Sequence, residues 1–253
     1  MQKKEKIKEE ESGDYLKRPR INSLLLKATK KPLTIVCAGM GCGKSRAVYD
    51  FFDEYKFPVL FISLSEMDNV SSHFWENVIR VFKKEDKELA EEIRKLGFPN
   101  TENKLNVFFN FFKGILKECP YMKVFDDFHL LKNPEVLAFI ERIIYEGSTV
   151  VLISRTQPQI NISGLLVRDN VSMINEDELN FTENEISQFL LVQGLKSETG
   201  NLHIIYEDTK GWAFIVNYII RSIKLHNFTL IHNHDSITHS KCFFLVMRNV
   251  NHC

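Results

Sequence analysis

Short apolar runs alternate with amphipathic stretches over the first two thirds of the chain. The runs cover residues 33–37, 58–63, 121–125 and 149–154, and a weaker one covers 171–174. Their continuous apolar character is typical of strands that are buried on both faces. Strands that alternate with helices predict a parallel sheet with helices on both faces, which is an α/β fold.

The stretches between the runs carry apolar residues at helical spacing. One stripe contains Phe74, Val78 and Phe82, and another contains Phe108 and Phe112. We interpret these phenylalanines as core residues and not as ligand contacts. Upstream, the pattern predicts a short helix that leads into the first strand, with Asn22 or Ser23 as its cap.

The pattern changes from about residue 175, where only helices are predicted. Thr182 stands three residues ahead of Glu185, which is the spacing of a capping box, and the helix it opens should end at Gly194. Further helices are predicted at roughly 199–208 and 212–225. These helices form a small helical subdomain after the sheet.

Composition narrows the class of protein. The chain has 253 residues, of which 44% are hydrophobic and 26% charged, with 33 basic and 33 acidic side chains. The zero formal net charge argues against direct nucleic-acid binding by this chain. No run is long enough to span a membrane, and the charged start is not a secretory signal. The five cysteines resemble reduced thiols, so we expect a cytoplasmic protein.

A glycine-rich turn follows the first strand and precedes a helix. It reads Ala38, Gly39, Met40, Gly41, Cys42, Gly43, Lys44 and Ser45. Positive φ at the glycines would gather backbone N–H groups round a phosphate, Lys44 would reach the β and γ phosphates, and Ser45 would ligate Mg²⁺. The usual first glycine is replaced by Ala38, which is small enough for the loop to form. The turn therefore predicts a P-loop that binds ATP or ADP.

Acidic and basic residues follow two later strands. Asp126 and Asp127 end the run at 121–125, where Asp126 would support Mg²⁺ and Asp127 would position the attacking water. Aspartate is one methylene shorter than the glutamate found in many ATPases, so we expect slow turnover. Arg155 follows the run at 149–154 and is predicted to sense or stabilise the γ-phosphate.

These motifs together resemble a known family. The order of Arg18-Pro19-Arg20, the P-loop, Ser63 to Asn69, Phe74-Trp75, Phe125 to Leu130, Ser154-Arg155, Leu179-x-Phe181 and Gly211-Trp212-Ala213 is similar to the ATPase module of MalT-type regulators. Those regulators are LuxR-family transcription activators of the STAND class of P-loop ATPases. The resemblance covers about residues 15–222.

The resemblance implies an ASCE-type sheet in which the Arg155 strand lies between the P-loop strand and the Asp126 strand. It implies that Arg18 and Arg20 lie near the adenine, and that Gly211 and Trp212 close over the nucleotide. It also implies a switch, in which ADP holds a closed form and ATP with an inducer permits self-association.

The predicted organisation has four parts. They are a charged flexible tail at 1–13, a P-loop NTPase domain at 14–175, a helical lid at 176–225 and a disordered tail at 226–253. Family members continue into sensor and DNA-binding segments, so we expect a truncated or frame-disrupted product. His232, His234, His239 and Cys242 match no zinc spacing well, which favours chance enrichment over a metal site.

The sequence is compatible with three functions. The first is an ATP- or ADP-binding regulatory switch that hydrolyses ATP slowly. The second is a constitutive ATPase or nucleotide kinase. The third is an interaction remnant that binds no nucleotide and associates with a full-length relative.

Overall fold

The computed structural model describes residues 15–118, 121–195 and 199–229. The described chain divides into two compact units. One unit comprises residues 18–179, and the other comprises residues up to 17 together with those from 180 onward. The predicted tail at 1–13 lies outside the described residues, as do residues 230–253 of the tail predicted at 226–253, which include the histidine and cysteine positions from 232 onward. Residues 226–229 belong to the last described helix. The predicted domain boundaries stay predictions.

The unit of residues 18–179 contains a parallel sheet. Its five strands are β1 (Leu33–Cys37), β2 (Val59–Ser63), β3 (Met122–Asp126), β4 (Val150–Ser154) and β5 (Val171–Ile174). Its helices are α1 (Pro19–Ala28), α2 (Lys44–Tyr55), α3 (Ser71–Glu85), α4 (Lys87–Leu96), α5 (Glu102–Glu118), α6 (Pro134–Tyr145), α7 (Ser163–Val167) and α8 (Glu176–Leu179), with 3₁₀ turns at Glu66–Asn69 and Phe128–Leu130.

The strand order is β2-β3-β4-β1-β5, so β4 lies between β1 and β3. This is the order that the family resemblance implies. Register pairs Cys37 with Ser154 and Ser63 with Asp126, which brings the carboxyl ends of the strands to one edge. The loops that carry the predicted site residues therefore leave the sheet side by side.

Alternate strand residues face the two layers of helices. Ile35, Phe125 and Leu152 pack in one large core cluster with the aromatic side chains of α3, α5 and α6. On the opposite face, the ring of Phe61 in β2 lies 6.5 Å from that of Tyr49 in α2. The predicted helix-covered parallel sheet is confirmed.

The phenylalanine stripes lie inside the core. Phe74 is fully buried and stacks on Phe125 of β3, with 6.5 Å between ring centroids. Trp75, Phe108 and Phe139 complete an edge-to-face cluster beside it. Aromatic pairs of this geometry add about 0.5–1.5 kcal/mol beyond their buried area. Their interpretation as core residues is confirmed.

The second unit is helical in its described part. It contains α9 (Glu183–Val192), α10 (Thr199–Thr209) and α11 (Ala213–Thr229). The capping box is present, because Thr182 Oγ1 accepts from Glu185 N at 3.2 Å and Glu185 Oε2 accepts from Thr182 N at 3.0 Å. Phe181, Ile186 and Val216 belong to its core.

Two sequence predictions are wrong. The first helix begins at Pro19 with Arg18 as its N-cap, and not at Asn22 or Ser23. Proline suits the first helical turn because its missing N–H has no helical partner there. Among the loop glycines, Gly41 and Gly43 have positive φ values of 78° and 77°, but Gly39 does not.

No helix in the described ranges is both long and apolar enough to cross a bilayer.

A buried lysine, Lys123 of β3, generates a stability prediction. Its ammonium donates to Ser148 Oγ at 3.1 Å, and burial lowers its pKa from 10.5 to about 8. The unfolded chain therefore binds more protons between pH 8 and 10.5, so the free energy of unfolding rises with pH across that window. At pH 7 the buried charge costs about 3 kcal/mol.

We expect Lys123→Met to raise the free energy of unfolding at pH 7 by about 2–3 kcal/mol and to flatten its rise between pH 8 and 10. Urea unfolding at pH 7, 8 and 10 measures both effects. Lys84→Met, at an exposed position, is the control and should alter neither. Equal stability of the wild type and Lys123→Met at pH 7 would contradict the prediction.

Candidate nucleotide-binding site

The turn between β1 and α2 has the backbone of a phosphate cradle. Gly43 is the N-cap of α2, and its φ of 77° lies in the left-handed region. Gly41 is the other glycine of the turn with positive φ. Backbone N–H groups at the start of a 12-residue helix carry partial positive charge. The turn can therefore bind an anion through its main chain.

Ala38 continues the sheet into the turn. Its N–H donates to the Ser154 carbonyl at 3.3 Å, and its side chain is buried. The methyl group that replaces the usual glycine hydrogen is thus accommodated in the sheet edge.

Lys44 lies against the cradle. Its ammonium donates to the carbonyls of Ala38 and Gly39 at 2.7 and 2.6 Å. The side chain is buried, and burial is the largest cause of a lowered pKa, to which the charge of Arg155 also contributes. A point charge held among backbone dipoles at a helix start is suited to phosphate oxygens.

Ser45 joins the turn to β3. Its hydroxyl donates to Asp126 Oδ1 at 2.8 Å, and the Asp126 side chain is completely buried. The same carboxylate oxygen accepts from Asp127 N at 3.0 Å. A hydroxyl and a carboxylate are hard oxygen ligands, which Mg²⁺ prefers. The two residues predicted to hold the metal therefore lie together.

Ser45 and Asp126 are suited to a magnesium ion that is shared with a bound phosphate, and less to a metal ion held by protein ligands alone. In the part of the chain that the structure describes, no three His, Cys, Asp or Glu side chains gather in a metal-binding group. Mg²⁺ usually keeps waters and binds one or two protein ligands together with substrate phosphates. Ser45 and Asp126 supply that number.

A cavity of about 190 Å³ opens over the cradle. Its lining residues are Met40, Gly41, Gly43, Lys44, Ser45, Arg46, Asp127 and Arg155. Asp127 follows β3 and Arg155 follows β4. Because these strands are adjacent, a carboxylate and a guanidinium line the same cavity. Cys42 is buried and does not line the cavity. Predicted catalytic and phosphate-binding residues thus share one surface.

Asp127 has the left-handed conformation, with a φ of 58°. Aspartate tolerates this conformation better than most residues with a side chain, because its short polar group can bond locally. His129 follows in the next turn, and its pKa is lowered mainly by burial and further by the charge of Arg155. Burial and the nearby guanidinium thus both favour the neutral imidazole.

The arginines predicted to lie near adenine have other contacts. Arg18 Nη1 donates to the Leu179 carbonyl and Arg20 Nη1 to the Glu178 carbonyl, both at 2.8 Å. Arg18 is buried and Arg20 is exposed. Both contacts attach the start of α1 to α8, and neither arginine lines the cavity over the cradle. Their contact with adenine stays a prediction.

Gly211 and Trp212 belong to the helical unit. The Gly211 carbonyl accepts from Phe181 N at 2.7 Å, and the Trp212 ring lies 5.9 Å from that of Phe214. A nucleotide contact at Gly211 and Trp212 stays a prediction.

Sequence reasoning did not identify Glu176 as a neighbour of the loop. This residue follows β5, and its carboxylate accepts from Gly39 N at 3.0 Å. A Cβ at position 39 would lie 3.2 Å from that carboxylate, so a larger residue there would have to displace the Glu176 side chain slightly. The sequence does contain a signal for this contact. Glu176 comes shortly after the predicted strand at 171–174, and residues after parallel strands lie at the same edge of the sheet.

Comparisons with known proteins place this chain beside a regulator and an ATPase fold. A scan of protein-family models found no match. Over 120 residues the chain is 32% identical to the HTH-type transcriptional regulators MalT of two Klebsiella pneumoniae strains. The match covers 45% of this chain and spans 13% of the length of these curated relatives. The predicted resemblance to a MalT-type ATPase module is confirmed.

A solved structure gives the same architecture. The Walker-type ATPase of Pyrococcus abyssi superposes with a TM-score of 0.59 at 15% identity, over 94% of this chain and 75% of that chain. At this identity the likeness concerns the fold. The predicted P-loop NTPase fold is confirmed.

Gly211 provides a test of local packing. Its φ is 76°, and an added Cβ would lie 2.8 Å from Phe181 N and closer still to the Phe181 carbonyl oxygen. We expect Gly211→Ala to lower the free energy of unfolding by about 2–4 kcal/mol in urea. Gly194 has a similar φ of 75° with nothing within 4 Å, so Gly194→Ala should cost only about 1 kcal/mol. Equal losses in the two variants would contradict the packing argument.

Proposed function

We propose that this chain binds ATP or ADP with Mg²⁺ at the cavity over the phosphate cradle and acts as a nucleotide-dependent regulatory switch. The observation that supports this most directly is the 2.8 Å contact between Ser45 Oγ and Asp126 Oδ1 beside the cradle. A triphosphate bound by backbone N–H groups would have its metal ligands within reach. The likeness to a transcriptional regulator supports the regulatory part.

Each residue has a role in this proposal. The N–H groups from Met40 to Ser45 and the Lys44 ammonium bind the β and γ phosphates. Ser45 and Asp126 hold Mg²⁺, which neutralises charge on those phosphates when bound. Asp127 orients the water that attacks the γ-phosphate, and Arg155 stabilises the charge that develops on it.

The proposed chemistry is slow, as befits a switch. Asp127 has a shorter side chain than glutamate, and its left-handed backbone fixes where that side chain begins. A water-orienting group that falls short of its target loses rate steeply. We therefore propose that bound nucleotide persists long enough to set the conformation. The likeness to a MalT-type regulator supports the further proposal that ATP, together with an inducer, permits self-association.

Binding is tested first, with Lys44→Ala. For the wild type, Mg²⁺-ATP at 100 times its Kd adds about 2.7 kcal/mol to stability, which raises the Tm by about 5–10 °C. We expect Lys44→Ala to lose this shift, and Lys30→Ala, at an exposed position outside the cavity, to keep it. Unchanged ATP affinity in Lys44→Ala would overturn the site.

Hydrolysis is tested with Asp127→Asn, because asparagine also tolerates positive φ. We expect the variant to retain the Tm shift with Mg²⁺-ATP and to lose about 100-fold or more of its phosphate release. Wild-type turnover should lie well below the roughly 1–100 s⁻¹ of kinases. A wild-type rate of ATP hydrolysis comparable with that of metabolic enzymes would instead favour a constitutive ATPase.

A further inference from the structure

An asparagine outside the cavity holds the segment that carries Asp127. Asn69 ends the 3₁₀ turn after β2, and its side-chain amide makes four hydrogen bonds. Its Nδ2 donates to the carbonyls of Glu66 at 3.1 Å and Leu130 at 2.9 Å. Its Oδ1 accepts from the N–H groups of Lys132 at 2.6 Å and Asn133 at 3.0 Å.

The bonding capacity of this amide is fully used. An asparagine side chain has two N–H donors and two acceptor lone pairs, and all four are engaged. The backbone of Asn69 takes part as well, because its carbonyl accepts from Asn133 Nδ2 at 2.7 Å. A half-buried loop residue bonded in this way specifies the path of the chain opposite it.

That chain is the segment 127–133. Its near end is fixed at the site, where Asp126 Oδ1 accepts from Asp127 N. Its middle is a 3₁₀ turn closed by Leu130 N on the Asp127 carbonyl at 3.0 Å. Its far end is held by Asn69. Between these two anchors Asp127 has the uncommon positive φ, a conformation that persists where the surroundings impose it.

We propose that Asn69 is a positioning residue for Asp127. It does not line the cavity over the cradle, and it acts by holding the turn that begins at Asp127. This inference rests on the proposed function, since Asp127 matters only where a water must be aligned with the γ-phosphate. Small displacements of such a group reduce the rate of the chemical step far more than they reduce nucleotide binding.

The test compares two isosteric variants. Asn69→Asp keeps the acceptor for Lys132 and Asn133 but turns an oxygen toward the carbonyls of Glu66 and Leu130. Asn217→Asp is the matched control, because Asn217 is also half-buried and its Nδ2 likewise donates to a backbone carbonyl, that of Ala213 at 2.8 Å. This acceptor does not belong to the segment 127–133.

We expect Asn69→Asp to lower kcat for ATP hydrolysis at least about tenfold with KM and nucleotide Kd within twofold of wild type. Amide hydrogen exchange in segment 127–133 should become faster in Asn69→Asp and stay unchanged in Asn217→Asp, which should also keep its kcat. Wild-type kcat in Asn69→Asp, or an equal kcat loss in Asn217→Asp, would overturn the positioning role alone. A wild-type chain that binds no ATP would overturn the proposed function too.

Discussion

The hydrogen bond between Ser45 and Asp126 is the contact on which the site depends. Asp126 is the last residue of β3, and Ser45 lies in the first turn of α2, which follows β1 through the glycine-rich turn. Strands β1 and β3 are not neighbours, because β4 lies between them. Adjacent strands are about 4.8 Å apart, so the path of the turn must bring Ser45 to the end of β3. This contact thus depends on the strand order and on the shape of the turn together.

The strands and the main site could be predicted because their signals are local. A continuous apolar run marks a strand buried on both faces, and the predicted strands agree with the observed ones to within one residue at each end. The phosphate loop follows from glycine, lysine and serine at fixed spacing. Parallel order then brings Asp126, Asp127 and Arg155 to one edge without any knowledge of side-chain contacts.

Contacts between distant segments could not be predicted in this way. Glu176 reaches Gly39 only because β5 pairs with β1, and Asn69 reaches Leu130 only because β2 pairs with β3. Both are single polar residues in short helical turns that come after a strand, so neither belongs to a periodic pattern from which to infer a partner. The start of α1 was missed for a different reason. Pro19 marks the first turn of the helix, whereas the spacing of the apolar residues further along favours a later start.

The hydrogen bonds of Arg18 and Arg20 join the two ends of the unit of residues 18–179. They join residues at the beginning of this unit to residues at its end, since the unit runs from Arg18 to Leu179. The chain therefore enters and leaves the unit at adjacent points. Glu176, in the same short helix as their carbonyl partners, also bonds to the phosphate loop. A phosphate bound close to Gly39 would repel this carboxylate, because both are negatively charged. The end of this unit is thus hydrogen-bonded to the loop at which we propose that nucleotide binds.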